Sequence, residues 1–230
     1  MPNYTLDLSL LDLKSSDIFK EIGYGNSQPE EEIINITDFL ITEILSFVKP
    51  SYTLCLYDGK VEDSSVILDN YRLDTGRIIA GLLKGSERFC LFVATAGTSF
   101  QNFQNIIKEE DNIIQTFILD TIGTCIVEKT GDMMEKLLEN EIGNYRHTHR
   151  FSPGYCGWDL TEQKILFKIL GDNQSDVTLS ETCLMSPVKS ISGIIGIGKN
   201  VNEKKYGCSI CELETCYKKG NNDTNKRLDK

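Results

Sequence analysis

Three short stretches hold residue types that do chemistry. The first is HRFSPGYCGWDLTEQ, residues 149–163. Arg150 offers a planar fork of donors suited to a carboxylate. Ser152 precedes a proline, which pushes it toward extended backbone, and Pro153 fixes its own φ. Gly154 turns where a side chain would clash, and lets a ligand approach the main chain. Tyr155 adds a flat face for stacking on a ring or meeting a cation. Together they suit a small molecule with a carboxylate, an aromatic ring and a positive charge. Taken locally, a bare turn is the simpler reading.

The second stretch is Cys208-x2-Cys211-x4-Cys216. A C-x2-C loop lets two thiolates converge on one metal. Three cysteines leave a fourth position open, for His147, His149 or another cysteine. The spacing differs from that of a zinc knuckle and from common iron–sulfur patterns; the alternative is a set of thiols on a flexible tail. The HTH run at 147–149 is the third stretch. Alternate histidines can hold a metal, but beside Arg146 and Arg150 surface residues are the simpler reading. A fourth run, GIIGIGKN, imitates a phosphate loop through Gly193, Gly198 and Lys199. Asn200 stands where the magnesium-binding hydroxyl belongs, and VNEKKYG opens a helix poorly. Close-packed strand glycines explain it better.

Composition narrows the classes. The net charge of −10 argues against nucleic acid as a main partner. No run approaches the roughly 20 apolar residues of a membrane span. MPNYTLDLSLLDL lacks the basic start and apolar stretch of a secretory signal, so a cytoplasmic location is expected. In a reducing compartment eight cysteines do not make a disulfide framework. Cys55, Cys90, Cys125, Cys156 and Cys183 lie mostly in apolar segments and read as small buried hydrophobes.

The elements that position these residues follow from periodicity. YTLDLSL, SYTLCLYDG, RFCLFVATAG, TLSETCLMS and KSISGIIGIGK read as strands. SSDIFKEIG, PEEEIINITDFLITEILSFV, GRIIAGLLKG and SFQNFQNIIKE read as helices, as does a long segment from NIIQTFILD to LLENEIG. Asp159 is placed to cap the helix LTEQKILFKIL. Strands and helices mix without strict alternation, which favours a single α+β domain over a doubly wound sheet. The expected division is a domain over residues 1–217 and a flexible polar tail over 218–230.

Two linked motifs carry a resemblance. Arg150, Pro153, Gly154 and Tyr155 form an R-x-x-P-G-Y corner. After a helix come Leu179, Ser180, Glu181, Met185, Pro187, Ser190, Ser192 and Gly193, with Thr182 in place of a serine. The pair resembles the activation (reactivation) domain of cobalamin-dependent methionine synthase in its free-standing form. IFKEIGYGNSQPEEEI, LFVATAG and the cysteine triplet resemble free-standing relatives too.

The resemblance implies an α+β fold with a bent, mainly antiparallel sheet flanked by helices. It implies that the chain binds S-adenosylmethionine and docks on a cobalamin module of methionine synthase or another corrinoid protein. It also implies a flavodoxin-like electron donor and reductive methylation of cob(II)alamin to methylcobalamin in trans. Arg150 is implied to pair with the ligand's carboxylate, Ser152 and Gly154 to offer main-chain groups, and Tyr155 to wall the adenosine or sulfonium. Glu128, in CIVEKTGD, is the match for a glutamate contacting the amino group, and Tyr206 for a tyrosine after the glycine-rich strand. The rival reading is a redox or scaffold protein that keeps the fold and uses Cys208, Cys211 and Cys216 for a metal or iron–sulfur cluster.

Overall fold

The computed structural model describes residues 3–171 and 175–201. In chain order these form β1 (Asn3–Thr5), a 3-10 turn (Leu8–Leu11), α1 (Ser15–Ile22), α2 (Glu31–Ile44), β2 (Ser51–Glu62), β3 (Ser65–Leu68), β4 (Tyr71–Asp74) and α3 (Gly76–Leu82). Then come β5 (Arg88–Thr95), α4 (Thr98–Glu109), α5 (Ile113–Ile142), β6 (Arg146–His147), a second 3-10 turn (Leu160–Glu162), α6 (Gln163–Leu170), β7 (Thr178–Leu179), β8 (Met185–Ser186) and β9 (Ser190–Gly198). The main sheet runs β4-β3-β2-β5-β9-β6, with β1 also on β2, and all of its pairs are antiparallel. The α+β expectation holds. No described helix is long and apolar enough to cross a membrane.

Both faces of the sheet are covered, which is why its central strands carry apolar residues on both faces rather than at alternate positions. On one face Tyr52, Leu54, Cys90, Phe92, Ala94, Ile195 and Ile197 pack against Met134, Leu138 and Ile142 of α5. On the other, Cys55, Phe89, Leu91, Val93 and Ile194 meet residues of α3 and α6. The N-terminal half of α5 carries the third cluster, with α1, α2 and α4. So α5, 30 residues and about 45 Å long, contributes to two of the three clusters. Asn112 caps it, its side chain accepting from Gln115 N at 3.0 Å.

Two strand expectations need correction. Of YTLDLSL only Tyr4 and Thr5 are strand, within β1. Leu8 and Leu11 follow on a 3-10 turn, whose three-residue repeat sends both into the core. TLSETCLMS is a two-stranded hairpin, not one strand. Cys183 adopts φ 65°, and Ser180 Oγ accepts from Leu184 N at 2.9 Å to close the turn. Asp159 caps the second 3-10 turn, which leads into α6, accepting from Thr161 N at 2.8 Å. Of the five scattered cysteines four are buried, and Cys125 is half-buried.

The run GIIGIGK is strand β9 and not a phosphate loop. Its glycines admit close neighbours: a Cβ on Gly196 would lie 2.1 Å from Ser86 Oγ.

Candidate functional site

The segment after α5 runs along β9 and makes the site. His147 pairs with Ile197 of β9, and Phe151 bridges Ile194. Four steps separate His147 from Phe151, but only three separate their partners. One residue is therefore extra, and the strand bulges. Thr148 stabilises the bulge from both sides. Its N–H donates to Gly196 O at 2.8 Å, and its Oγ1 accepts from Gly196 N at 2.9 Å. Beyond the bulge Phe151 returns to the core, while His149 and Arg150 both face one cavity.

That cavity has a volume of about 580 Å³, within the range of small-molecule sites. Ile79, Phe92 and Ile191 give it apolar walls. Ser152 and Tyr155 line it from the corner, and Glu128, Asp132 and Glu135 from α5. The corner itself is tight. Gly154 has φ 92° and Cys156 φ 51°, and Gly154 N donates to Trp158 O at 2.8 Å. Trp158 is buried and anchors the loop, which leaves Tyr155 half-exposed at the rim.

Arg150 lies along the face of α5. Its Nη2 is 2.9 Å from Asp132 Oδ1 and 3.2 Å from Glu128 Oε2, and Nη1 is 3.8 Å from Glu135 Oε2. The approach is possible because residue 131 is glycine. A Cβ there would stand 2.0 Å from Nη1. The carboxylates recur at i, i+4 and i+7, one helical stripe with Gly131 inside it.

The three acids are not alike. Glu128 and Asp132 are more than half exposed, whereas the Glu135 side chain is 19% exposed. Glu135 Oε1 and Arg150 Nη1 are both buried without a hydrogen-bond partner. Burial pushes the Glu135 carboxyl above its ordinary range, against the pull of Arg150, His147 and His149. A carboxyl raised on folding favours the folded state below its unfolded pKa. That contribution is lost as pH rises through the folded value.

Glu128, Arg150, Ser152 and Tyr155 thus gather around one cavity, with Gly154 in the same corner. Asp132 and Glu135 were not anticipated, although their helical spacing from Glu128 was the available signal. Tyr206, Cys208, Cys211 and Cys216 lie outside the described residues. Among the described residues no three His, Cys, Asp or Glu side chains converge as a metal site. His147 instead approaches Glu139, at 3.4 Å.

The second sequence motif is architectural. Ser192 Oγ accepts from Gln163 Nε2 of α6 at 3.0 Å, and Ser190 Oγ donates to Pro187 O at 2.7 Å. Gly193 lets the corner dock, since a Cβ there would stand 2.1 Å from Phe151 O. Replacing Gly193 by alanine should therefore break the Phe151–Ile194 bridge. We expect a loss of about 1–3 kcal/mol in urea denaturation. An unchanged midpoint would show that this contact does not hold the corner.

Comparison with known proteins agrees with this fold. The crystal structure of the MetH reactivation domain bound to AdoHcy superposes with a TM-score of 0.65 at 12% identity, covering 90% of this chain and 80% of that one. No curated protein matches the chain. The family model for the activation domain of vitamin B12 dependent methionine synthase matches residues 79–216, more than half of the sequence and all of the cavity-lining residues. The chain belongs to the family of vitamin B12 dependent methionine synthase activation domains.

Proposed function

We propose that this chain is a reactivation protein that binds S-adenosylmethionine in the Arg150 cavity and acts in trans on a cobalamin-bearing module of methionine synthase or another corrinoid protein. The observation that carries the reading is a pair of buried polar atoms without hydrogen-bond partners, Arg150 Nη1 and Glu135 Oε1, on two residues that line one cavity in a chain of this family. Buried polar groups without partners call for a ligand or water. An amino-acid head group suits them: its carboxylate takes the Arg150 fork, and its ammonium takes a carboxylate of α5.

Glu128 is the sequence-based choice for the ammonium. Asp132 lies one turn along the same stripe and closer to Arg150, so it is an equal candidate. Ser152 and Gly154 contribute main-chain groups, and Tyr155 at the rim covers the adenosine or sulfonium.

When bound, the ligand supplies a methyl group already activated on sulfur, for a partner cobalt(I) centre produced by one electron from a flavodoxin-like donor. The chain therefore needs no acid–base machinery of its own. Its residues hold the ligand's polar end in the cavity, orient the methyl toward the mouth, and exclude water through the Phe92, Ile79 and Ile191 walls.

Calorimetric titration of the reduced protein with S-adenosylmethionine and S-adenosylhomocysteine tests the reading. Saturable binding, roughly micromolar to sub-millimolar, is expected. Absence of binding, both alone and with a cobalamin-loaded partner, would refute it.

A further inference from the structure

The direction in which Arg150 points is a matter of parity. On a regular strand successive side chains alternate, so His147 and Arg150, three residues apart, would lie on opposite faces of the sheet. Here both lie against α5. His147 Nε2 is 3.4 Å from Glu139 Oε1, and Arg150 Nη2 is 2.9 Å from Asp132 Oδ1. Phe151 should share the face of His147, yet it joins the cluster of α3 and α6 on the other side. The bulge makes the difference. His149 and Arg150 together stand opposite Ile195, between Thr148 beside Gly196 and Phe151 beside Ile194. Without that extra residue the guanidinium would turn away from α5.

One hydroxyl holds the bulge open. In a regular antiparallel pair Thr148 and Gly196 would exchange two main-chain hydrogen bonds. Only one is made, from Thr148 N to Gly196 O at 2.8 Å. The Thr148 carbonyl has turned away and accepts from His147 Nδ1 at 2.7 Å. The Thr148 side chain takes its place. Its Oγ1 accepts from Gly196 N at 2.9 Å and donates to His149 O at 2.9 Å. Gly196 is buried and Thr148 is 1% exposed, so this N–H depends on the hydroxyl for a partner. We propose that Thr148 is a positioning residue of the site: its hydroxyl fixes the bulge that aims the Arg150 fork at the ligand's carboxylate. The inference rests on the ligand class proposed above.

The consequence of losing the hydroxyl follows from the same bonds. Valine keeps the shape and branching of threonine and offers Gly196 N no acceptor. The acceptor that a regular pair supplies is the carbonyl of residue 148. Reclaiming it rotates the peptide between residues 148 and 149 and pushes the extra residue toward Arg150. The guanidinium then leaves its seat on α5, which is narrow: a Cβ on residue 131 would stand 2.0 Å from Nη1. Serine retains the hydroxyl and with it both bonds.

The experiment titrates S-adenosylhomocysteine into the wild type, Thr148→Val and Thr148→Ser, and records nitrogen-15 guanidinium spectra of the same proteins without ligand. The Arg150 signal is assigned by its loss in Arg150→Lys. Thr148→Val should bind at least about tenfold more weakly, and its Arg150 signal should move toward that of a freely rotating arginine. Thr148→Ser should stay within about threefold of the wild type, with the Arg150 signal in place. Wild-type affinity in Thr148→Val would overturn the proposal. So would weak binding with an unmoved Arg150 signal, because the loss would not pass through the guanidinium. A serine variant as weak as the valine variant would overturn the role of the hydroxyl. Should Thr148→Val fail to fold, Thr148→Ala is read on the same two scales. Should neither fold, the wild-type spectrum decides: an Arg150 signal averaged like that of free arginine overturns the proposal. If the wild type does not bind S-adenosylhomocysteine, the site reading fails, while the spectra still decide whether Thr148 holds Arg150.

Discussion

Replacing Arg150 by alanine is expected to weaken S-adenosylmethionine binding by about 1.5–3 kcal/mol, roughly tenfold to somewhat over a hundredfold. The first cause is direct: a charge-assisted pair with the ligand carboxylate is lost. The second concerns the protein. Arg150 is the cation among Glu128, Asp132 and Glu135, and its side chain is only 17% exposed. Without it three carboxylates share one cavity, and Glu135 loses the largest influence holding its carboxyl down. The variant should thus be destabilised as well as weak in binding. The sign with pH follows. Protonated Glu135 tolerates burial, so the destabilisation should be small near about pH 5 and larger near about pH 8. Arg150→Lys should recover stability more fully than affinity, because an ammonium restores the charge but not the fork. Titration and thermal melts at the two pH values read these effects apart. An alanine variant with unchanged affinity would sink the carboxylate role of Arg150.

The residues of the corner were legible in the sequence because proline restricts and glycine frees the backbone locally, whatever the fold, and the tyrosine beside them offers an aromatic face. The helices were legible for a similar reason: α2, α4 and α5 each repeat apolar residues over several turns. The strands β3 and β4 are four residues each, too short for periodicity to register. Their turns, at Asp63 with φ 51° and Asp69 with φ 45°, are the stronger signal. The acids of α5 were partly hidden. Glu128 was found through resemblance, while Asp132 and Glu135 were passed over. Their importance depends on where Arg150 points, and that depends on the bulge between His147 and Phe151. A bulge is a property of register between distant segments, so no local pattern announces it. The downstream motif shows the converse case. Its serines and Gly193 marked the family correctly, yet in the structure they hold the hairpin and the corner, and only Ile191 between them reaches the cavity.

Gly131 separates the site from the fold more cleanly than any other residue, and its replacement by alanine is the sharpest expectation. The backbone there is ordinary helix, so alanine fits it and should strengthen the helix by up to about 1 kcal/mol. The side chain has nowhere to go. Its Cβ would sit 2.0 Å from Arg150 Nη1, 2.8 Å from Cζ and 3.2 Å from Ile191 Cδ1. The flexible partner yields, and the guanidinium must withdraw from α5 by on the order of 1–1.5 Å to reach ordinary contact distance. That shift breaks its alignment with Asp132 and Glu128 and displaces the fork from the ligand's carboxylate. Binding should fall about tenfold or more, while the melting temperature holds or rises. Gly123, two turns earlier on the same helix, provides the control. A Cβ there would meet Phe100 at 2.5 Å and the Lys189 stem at 2.9 Å, away from the cavity. Gly123→Ala should therefore lose stability through overpacking, by about 1–3 kcal/mol, and keep its affinity. If Gly131→Ala instead binds like the wild type, Arg150 does not need its seat on α5, and the ligand must reorganise the cavity as it enters.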